Sequence, residues 1–453
     1  MRGKQQNNQL KLAFESTTEV KPEVGLIGGT ETLTAESKPE SQTANERMME
    51  AILERENLKR ALKRVKQNKG ASGVDGMEVE ELGPYLKQHW PQLREALENG
   101  TYKPQPVRRA EIPKSGGGTR KLGIPTVVDR FIQQAILQVL QEEWDPTFSK
   151  YSYGFRPGRS AHQAISQAQE YINAGYGIVV DIDLEKFFDR VNHDILMSRV
   201  ARRVSDKRVL KLIRAYLNSG ILEDGLVSPT YEGTPQGGPL SPLLSNLMLD
   251  DLDRELEQRG HRFVRYADDC NIYVRSERAG ERVMEGIKRF LGRRLRLKVN
   301  EQKSAVGKPS KRKFLGYSYT SEKTVRRRIA LQSVERFKER VRELTKRGRT
   351  VQAVVKDLTL YLRGWAGYYG QTEWKGQLRD LDGWVRRRMR LYIWRAWTRP
   401  KRRYRLLRRG GIQPRQAWRV VHFGPWRASR SQALSIILPN AYFRKLGLYS
   451  ISQ

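Results

Sequence analysis

Hydrophobic positions along this chain change their period several times, and each change marks an element. Residues 1–45 are polar, rich in Gln, Glu, Thr and Ser, and show no period, which predicts a disordered arm. Apolar residues then return at Met49, Ile52, Leu53, Leu58, Leu62 and Val65 among many charges, the spacing of an amphipathic helix over 46–66. A Gly-punctuated loop, 69–76, leads to a second helical piece over 79–97. Ile132, Ala135, Ile136, Val139 and Leu140 mark the core face of another helix. Further helices are predicted near Ala161–Ile172 and over 240–256, where Pro239 and Pro242 stand at the tolerated start. Strand-like pieces replace this period in three places. One is 107–125, where they flank the turn Gly116-Gly117-Gly118 as a hairpin; one is 177–183; one is Phe263-Val264 and Ile272-Tyr273-Val274 around a tight turn. Helical spacing resumes over 333–346, 351–362 and 378–397.

Composition narrows the partners. The 453 residues, 38% hydrophobic and 9% aromatic, suffice for more than one core. Lys and Arg number 85 against 50 Asp and Glu, a net charge of +35. Such a surface attracts polyanions, nucleic acid first among them. An anionic membrane is the rival, but neither terminus carries a basic amphipathic helix with a clean apolar face. The single cysteine, Cys270, excludes an internal disulfide framework and a Cys-rich zinc site. No apolar run approaches the ~18 residues that span a bilayer, and the N-terminus lacks a signal-peptide pattern. A reducing, internal compartment is therefore expected.

The chemistry gathers at acids. Asp268 and Asp269 sit at the tip of the turn Arg265-Tyr266-Ala267-Asp268-Asp269-Cys270. Adjacent carboxylates repel unless a cation neutralises them, so the pair is either an ordinary turn or half of a divalent-metal site. The stretch Gly177-Ile-Val-Val-Asp181-Ile-Asp183 offers the rest: Ile178, Val180 and Ile182 line one face, and Asp181 and Asp183 share the other. Such acids beside an Asp-Asp hairpin suit two-metal phosphoryl transfer, and hard Mg²⁺ prefers oxygen ligands. The hairpin 107–125 carries Lys114, Arg120 and Lys121 around its glycines, either as a solvated face or as a triphosphate grip. The loop Tyr151-Ser-Tyr-Gly-Phe-Arg-Pro-Gly-Arg-Ser160 suits stacking on a strand of nucleic acid or packing as an Ω-loop.

These residues resemble a family. Asp183-Leu-Glu-Lys-Phe-Phe188, an Asp followed five residues on by an aromatic, is similar to motif A of reverse transcriptases, and Tyr266-Ala-Asp-Asp269 to their Tyr-x-Asp-Asp motif. Further blocks resemble the enzymes of bacterial group II introns, which double as maturases. They include Ile112-Pro-Lys with Arg120-Lys-Leu-Gly-Ile-Pro125, Tyr153-Gly-Phe-Arg-Pro157 and Gly233-Thr-Pro-Gln-Gly-Gly-Pro-Leu-Ser-Pro242. Leu297-Lys-Val-Asn-Glu-Gln-Lys303, Lys313-Phe-Leu-Gly-Tyr317 and Leu362-Arg-Gly-Trp-Ala-Gly-Tyr-Tyr369 follow in order. The resemblance implies an α+β fold, a right-hand polymerase with fingers, a palm built on an antiparallel sheet, and a helical thumb or maturase domain. The implied divisions are an arm, 1–45; an N-terminal helical extension, 46–98; fingers and palm, 99–320; thumb, 321–410; and a short basic tail, 411–453, as a possible DNA-binding region.

It also implies roles. Asp183, Asp268 and Asp269, with the Leu184 carbonyl, would hold two Mg²⁺ ions, Mn²⁺ being a possible substitute. Asp183 rather than Asp181 fills the first place, because only Asp183 has the aromatic five residues on. Phe188 would be the steric gate against a ribose 2′-hydroxyl. Lys114 and Arg120 would grip the triphosphate, Gln236 would touch the nucleotide or template, and Lys303 would sit near the nucleotide or the primer end. Implied partners are dNTPs, an RNA template with a DNA primer, group II intron RNA and target DNA, in a bacterial cytoplasm near the nucleoid, with no membrane. A Cys/His-rich endonuclease domain is expected to be absent. Between Lys323 and Arg430 stand 31 Lys and Arg against 7 Asp and Glu, with seven of the nine tryptophans. That density suits a duplex-tracking thumb. It disfavours a free-standing reverse transcriptase of phage defence or spacer acquisition. The intact acids disfavour an RNA-binding splicing cofactor without polymerase activity.

Overall fold

In a computed structural model of the chain, residues 47–452 are described, except 114–118, 224–225, 229–231 and 235–236. The polar arm 1–45 therefore lies outside the described residues. The N-terminal helical run is two helices, α1 (Met48–Ile52) and α2 (Arg55–Asn68), instead of the one expected. Glu54 is the reason: its side chain accepts from the Asn57 N–H at 2.8 Å and restarts the helix as an N-cap. After α3 (Leu82–Glu98), strands β1 (Val107–Pro113) and β2 (Thr119–Ile124) form the expected hairpin, with Arg108 opposite Ile124 and Pro113 opposite Thr119. Strands β4 (Ile221–Glu223) and β5 (Leu226–Ser228) extend it to a four-stranded sheet in the order β2-β1-β4-β5.

Between them lie α4 (Val127–Trp144), α5 (Ala161–Asn173), β3 (Ile178–Ile182), α6 (Phe187–Arg190), α7 (His193–Val200) and α8 (Lys207–Leu217). Capping explains the sharp starts: Thr126 caps α4 through the Asp129 N–H, and Ser160 with Gln163 forms a reciprocal capping box on α5. The second sheet runs β6-β7-β3-β8, all antiparallel, with β6 (Arg262–Tyr266), β7 (Asp269–Val274) and β8 (Ala305–Gly307). Helix α9 (Ser241–Gln258) is buried on nearly every side, which is why polar Asn246, Asp250 and Asp253 are as enclosed as Leu247 and Leu252. It and α10 (Glu277–Phe290) carry apolar residues into one core with α1, α4 and one face of the sheet.

The chain then passes through a small β9 (Tyr317–Tyr319) and β10 (Arg327–Ile329) pair into helices α11 (Leu331–Leu344), α12 (Val351–Tyr369), α13 (Lys375–Ala396) and α14 (Pro400–Arg409). These build a separate core around Phe337, Leu358, Met389 and Trp394. Residues beyond 410, expected as a tail, are folded. Helices α15 (Pro414–Val421), α16 (Pro425–Ser429), α17 (Gln432–Ile437) and α18 (Asn440–Lys445) send Val420, Leu434 and Phe443 into that same core. Apolar positions such as these, spaced between arginines, bury once several short helices share one centre.

The last turn is tied down by a buried carboxylate. Asp382 of α13 accepts the Ile451 N–H at 3.0 Å, the Ser452 N–H at 3.1 Å and the Ser450 hydroxyl at 2.5 Å. Asp382→Ala should therefore lower stability by roughly 2–3 kcal/mol, the scale of hydrogen bonds to one charged group. Thermal unfolding with limited proteolysis checks it: earlier melting and faster cleavage near residue 447 are expected.

Candidate active site

The hairpin β6–β7 brings its two acids to a fixed place. Tyr266 pairs with Asp269, leaving Ala267 and Asp268 as the turn, and Ala267 adopts a left-handed φ of +59°. A non-glycine residue holds that conformation only if its surroundings impose it. Arg265 supplies the constraint. Its guanidinium, wholly buried, donates to the Ala267 carbonyl at 2.8 Å, to Asn246 at 3.1 Å and to Asp253 at 2.7 and 2.5 Å. The backbone of Arg265 also pairs with Tyr151 and Tyr153. Gly154 then passes so close that a Cβ there would lie 2.2 Å from the Ala267 nitrogen.

The loop 151–160 is thus a packed support. Arg156 is buried, 2.7 Å from Asp145, and donates to the Ser149 and Ser152 carbonyls. Phe155 turns outward, and its ring meets that of Phe188 edge-on at 6.5 Å.

Strand β3 presents the third acid. Ile182 pairs with Cys270 and Asp181 with Asn271, so one further step of the register sets Asp183 across from Asp269. Opposed residues of an antiparallel pair share a face, and so Asp181, Asp183 and Asp269 lie together while Ile182 and Cys270 point into the core. Cys270 is the buried thiol under the hairpin, and burial raises its pKa. On the other side, Asp183 and Glu185 bond to Asn300 and Lys298, which makes Leu184 and Val299 a pair without mutual hydrogen bonds. The alternation of such pairs turns the Leu184 carbonyl toward the hairpin.

Cations flank the acids. Lys303 Nζ stands 3.7 Å from Asp183 Oδ1, and Ser304 accepts the Asp183 N–H at 2.9 Å. Arg312 binds Asp181 at 2.7 Å, and the charge of Lys313 reaches Asp269 and Asp181. Burial pushes Asp181 upward although Arg312 pulls the other way. Asp269 is pushed up to about 8, first by burial and then by the charges of Asp181, Asp268 and Asp183.

The remaining expected residues divide. Phe188 lines a cavity of about 160 Å³ with Asp189, Arg109, Lys121, Gly233 and Thr234, between the palm and the β1–β2 hairpin. Its carbonyl accepts the Thr234 N–H at 2.7 Å, while Phe187 beside it is a core residue. Lys114 and Gln236 lie outside the described residues, as does the side chain of Arg120. Arg265, Arg312 and Lys313 had no distinguishing signal in a chain with 85 Lys and Arg.

Comparison with known proteins agrees with this architecture. Residues 112–319 match the family model for reverse transcriptase (RNA-dependent DNA polymerase), and residues 334–411 match the group II intron maturase-specific domain. Protein YkfC of Escherichia coli is 35% identical over 301 residues, covering 58% of this chain and 79% of that protein. Group II intron-encoded protein LtrA of Lactococcus lactis subsp. cremoris is 29% identical over 316 residues, covering 55% of this chain and 52% of its own length. The chain thus spans about half the length of that relative. A putative COX1/OXI3 intron 2 protein of Saccharomyces cerevisiae is 30% identical, over 48% of this chain and 26% of that protein.

The donor set suits a hard cation: three carboxylates and the Leu184 carbonyl, oxygen throughout. Among the described residues no three His, Cys, Asp or Glu side chains are placed, as they stand, to hold a metal ion between them. Asp269 nevertheless feels three other acids, an arrangement that a cation relieves when water and phosphate oxygens complete its shell. Metal takes the ionised carboxylate, whereas metal-free Asp269 keeps its proton to about 8. Divalent-cation affinity should therefore fall as pH drops below that value, approaching ~10-fold per unit when one proton must leave. Mn²⁺ titrations followed by electron paramagnetic resonance between about pH 6 and 8 read this directly. A flat profile would remove Asp269 from the ligands.

Proposed function

We infer the activity of this chain from a kinship that is plain: it belongs to the family of group II intron-encoded reverse transcriptases and maturases. Its work is RNA-directed DNA synthesis, joined to binding of intron RNA that promotes splicing and, through the cDNA, intron mobility. The observation that carries this reading is Asp183 set across from the Asp268–Asp269 hairpin with Lys303 beside it. Reverse transcriptases use divalent metal ions. Here we assign two Mg²⁺, with Mn²⁺ as a substitute, to Asp183, Asp268, Asp269 and the Leu184 carbonyl. When bound, the ions activate the primer 3′-hydroxyl and neutralise the leaving pyrophosphate.

The protein's own residues do the rest. The Lys303 ammonium stands where it can meet a phosphate oxygen as well as Asp183. Lys114 and Arg120 grip the triphosphate, and Gln236 contacts the nucleotide. Phe188, with Phe155 against its edge, blocks a ribose 2′-hydroxyl and so selects dNTPs. The substrates are an RNA template with a DNA primer. The helices after residue 330 contact intron RNA and the template–primer duplex along phosphates, and the folded segment beyond 410 contacts target DNA. Splicing remains RNA chemistry, to which the protein contributes binding energy. No helix among the described residues is long and apolar enough to cross a membrane. We place the protein in the bacterial cytoplasm, with its RNA and the nucleoid.

Asp268→Asn/Asp269→Asn should abolish cDNA synthesis on a primed RNA template and leave intron-RNA binding unchanged. Full primer extension by that double variant would refute the assignment. Phe188→Ala should raise ribonucleotide incorporation relative to dNTP by about 10- to 100-fold, the scale of one steric contact in a substrate pocket. The ratio of kcat/KM for the two nucleotides measures it, and an unmoved ratio places the gate elsewhere.

A further inference from the structure

Asp181 has the same chemistry as Asp183 and lies on the same face, one pleat deeper, opposite Asn271. Residue type alone gives a cation no reason to prefer Asp183. Arg312 supplies one. Its Nε and Nη2 donate to Oδ2 of Asp181 at 3.0 and 2.7 Å, and the same Nη2 donates to the Lys303 carbonyl at 2.6 Å. That carbonyl belongs to the 300–304 turn, which holds Asp183 from the other side. Asn300 donates its N–H to the Asp183 carbonyl at 2.8 Å, and Ser304 accepts the Asp183 N–H at 2.9 Å. One guanidinium therefore grips both the competing acid and the turn that presents Lys303 to Asp183. Arg312 comes from the stretch between β8 and β9, where the palm leads into the thumb.

We propose that Arg312 is a positioning residue for polymerisation. By occupying Asp181 and fixing the 300–304 turn, it leaves Asp183 as the β3-side acid open to a divalent cation, and it keeps Lys303 beside that acid. The inference rests on the polymerase reading of these carboxylates. A guanidinium stays charged at any working pH, so removing it uncovers a fourth acid. A cation then binds more tightly, but on oxygens that hold it away from the productive place. Loosened packing has the opposite effect and weakens binding.

The test uses the full chain as wild type, Arg312→Gln, Arg312→Lys and Asp181→Asn/Arg312→Gln. Each is titrated with Mn²⁺ alone by electron paramagnetic resonance and assayed for primer extension on RNA. Arg312→Gln should bind Mn²⁺ about 3- to 30-fold more tightly, the effect of one lost charge nearby. Its kcat should fall about tenfold or more through mispositioning, with a much smaller change in the dNTP KM. The double variant should return to wild-type Mn²⁺ affinity and recover the part of kcat lost to the competing acid, but not the part lost with the grip on the 300–304 turn. Arg312→Lys, which keeps the charge and loses the fork, should show near-normal Mn²⁺ affinity with reduced kcat, and it carries the test if Arg312→Gln does not fold. Unchanged or weaker Mn²⁺ binding in Arg312→Gln, or a double variant no better than the single, overturns the proposal. Absence of primer extension by wild type, with Mn²⁺ binding indifferent to Asp268→Asn/Asp269→Asn, instead overturns the polymerase reading.

Discussion

The geometry of the acids depends on one buried guanidinium. Arg265 is wholly enclosed beneath the hairpin, and its donors are shared among α9, the turn carbonyl of Ala267 and, through its backbone, the loop at 151–153. A buried ion pair is weak evidence of stability, since desolvating two charges offsets most of their attraction. Its value here is directional. A methionine would fill the space but would not hold Ala267 at a positive φ, and without that turn Asp268 and Asp269 would face elsewhere. Asn246, which accepts from Arg265 and donates to the Gly154 carbonyl, extends the same lock to the loop that carries Phe155. The Ala267–Asp268 turn and Phe155, the aromatic beside Phe188, are thus set by one polar network.

Charge explains why the lock has to be this firm. Four carboxylates crowd one end of a sheet in a protein of net charge +35. Left free, they would either recruit the nearest lysines or splay apart. Lys303 and Arg312 do engage two of them, at 3.7 and 2.7 Å, and burial keeps a proton on Asp269. The charges of these acids are therefore met by a proton, a lysine and an arginine, of which a bound cation would displace the first.

Much of this was legible in the sequence, and the part that was not has a physical cause. Alternation placed Asp181 and Asp183 on one face, and the short hairpin placed Asp268 and Asp269 at a tip, because strand period and turn length are local properties. The two arginines that organise the acids were invisible, since their partners lie 12 positions away for Arg265 and 131 for Arg312. The break at Glu54 was masked by an apolar spacing that runs through it, although a carboxylate cap three residues before Asn57 was a readable sign. Residues 411–453 read only as a short basic tail because each of their helices is too short to show a period alone. The clustering of arginine with tryptophan also had two meanings. Arg403 lies over buried Trp394 at 4.7 Å and Arg342 over Trp384 at 5.6 Å, whereas Trp418 and Trp426 face outward. Part of the density read as RNA contact is internal packing.

That division bears on how the thumb and the acids work together. Tyr317 donates its hydroxyl to the Tyr368 carbonyl at 2.6 Å, and Tyr368 returns one to the Leu315 carbonyl at 2.7 Å. His162 of α5 meets the same Tyr368 carbonyl at 2.8 Å, and Glu373 accepts from both Gln169 of α5 and the Arg327 backbone. The first thumb helices are therefore joined to the palm by a polar, tyrosine-rich seam, and Arg312 stands a few residues upstream of it. Hydrogen bonds between such groups are directional, so the seam fixes where residues 315–317 meet α12. The stretch that carries Arg312, and with it the 300–304 turn beside Asp183, is therefore set by the same contacts that seat the first thumb helices on the palm.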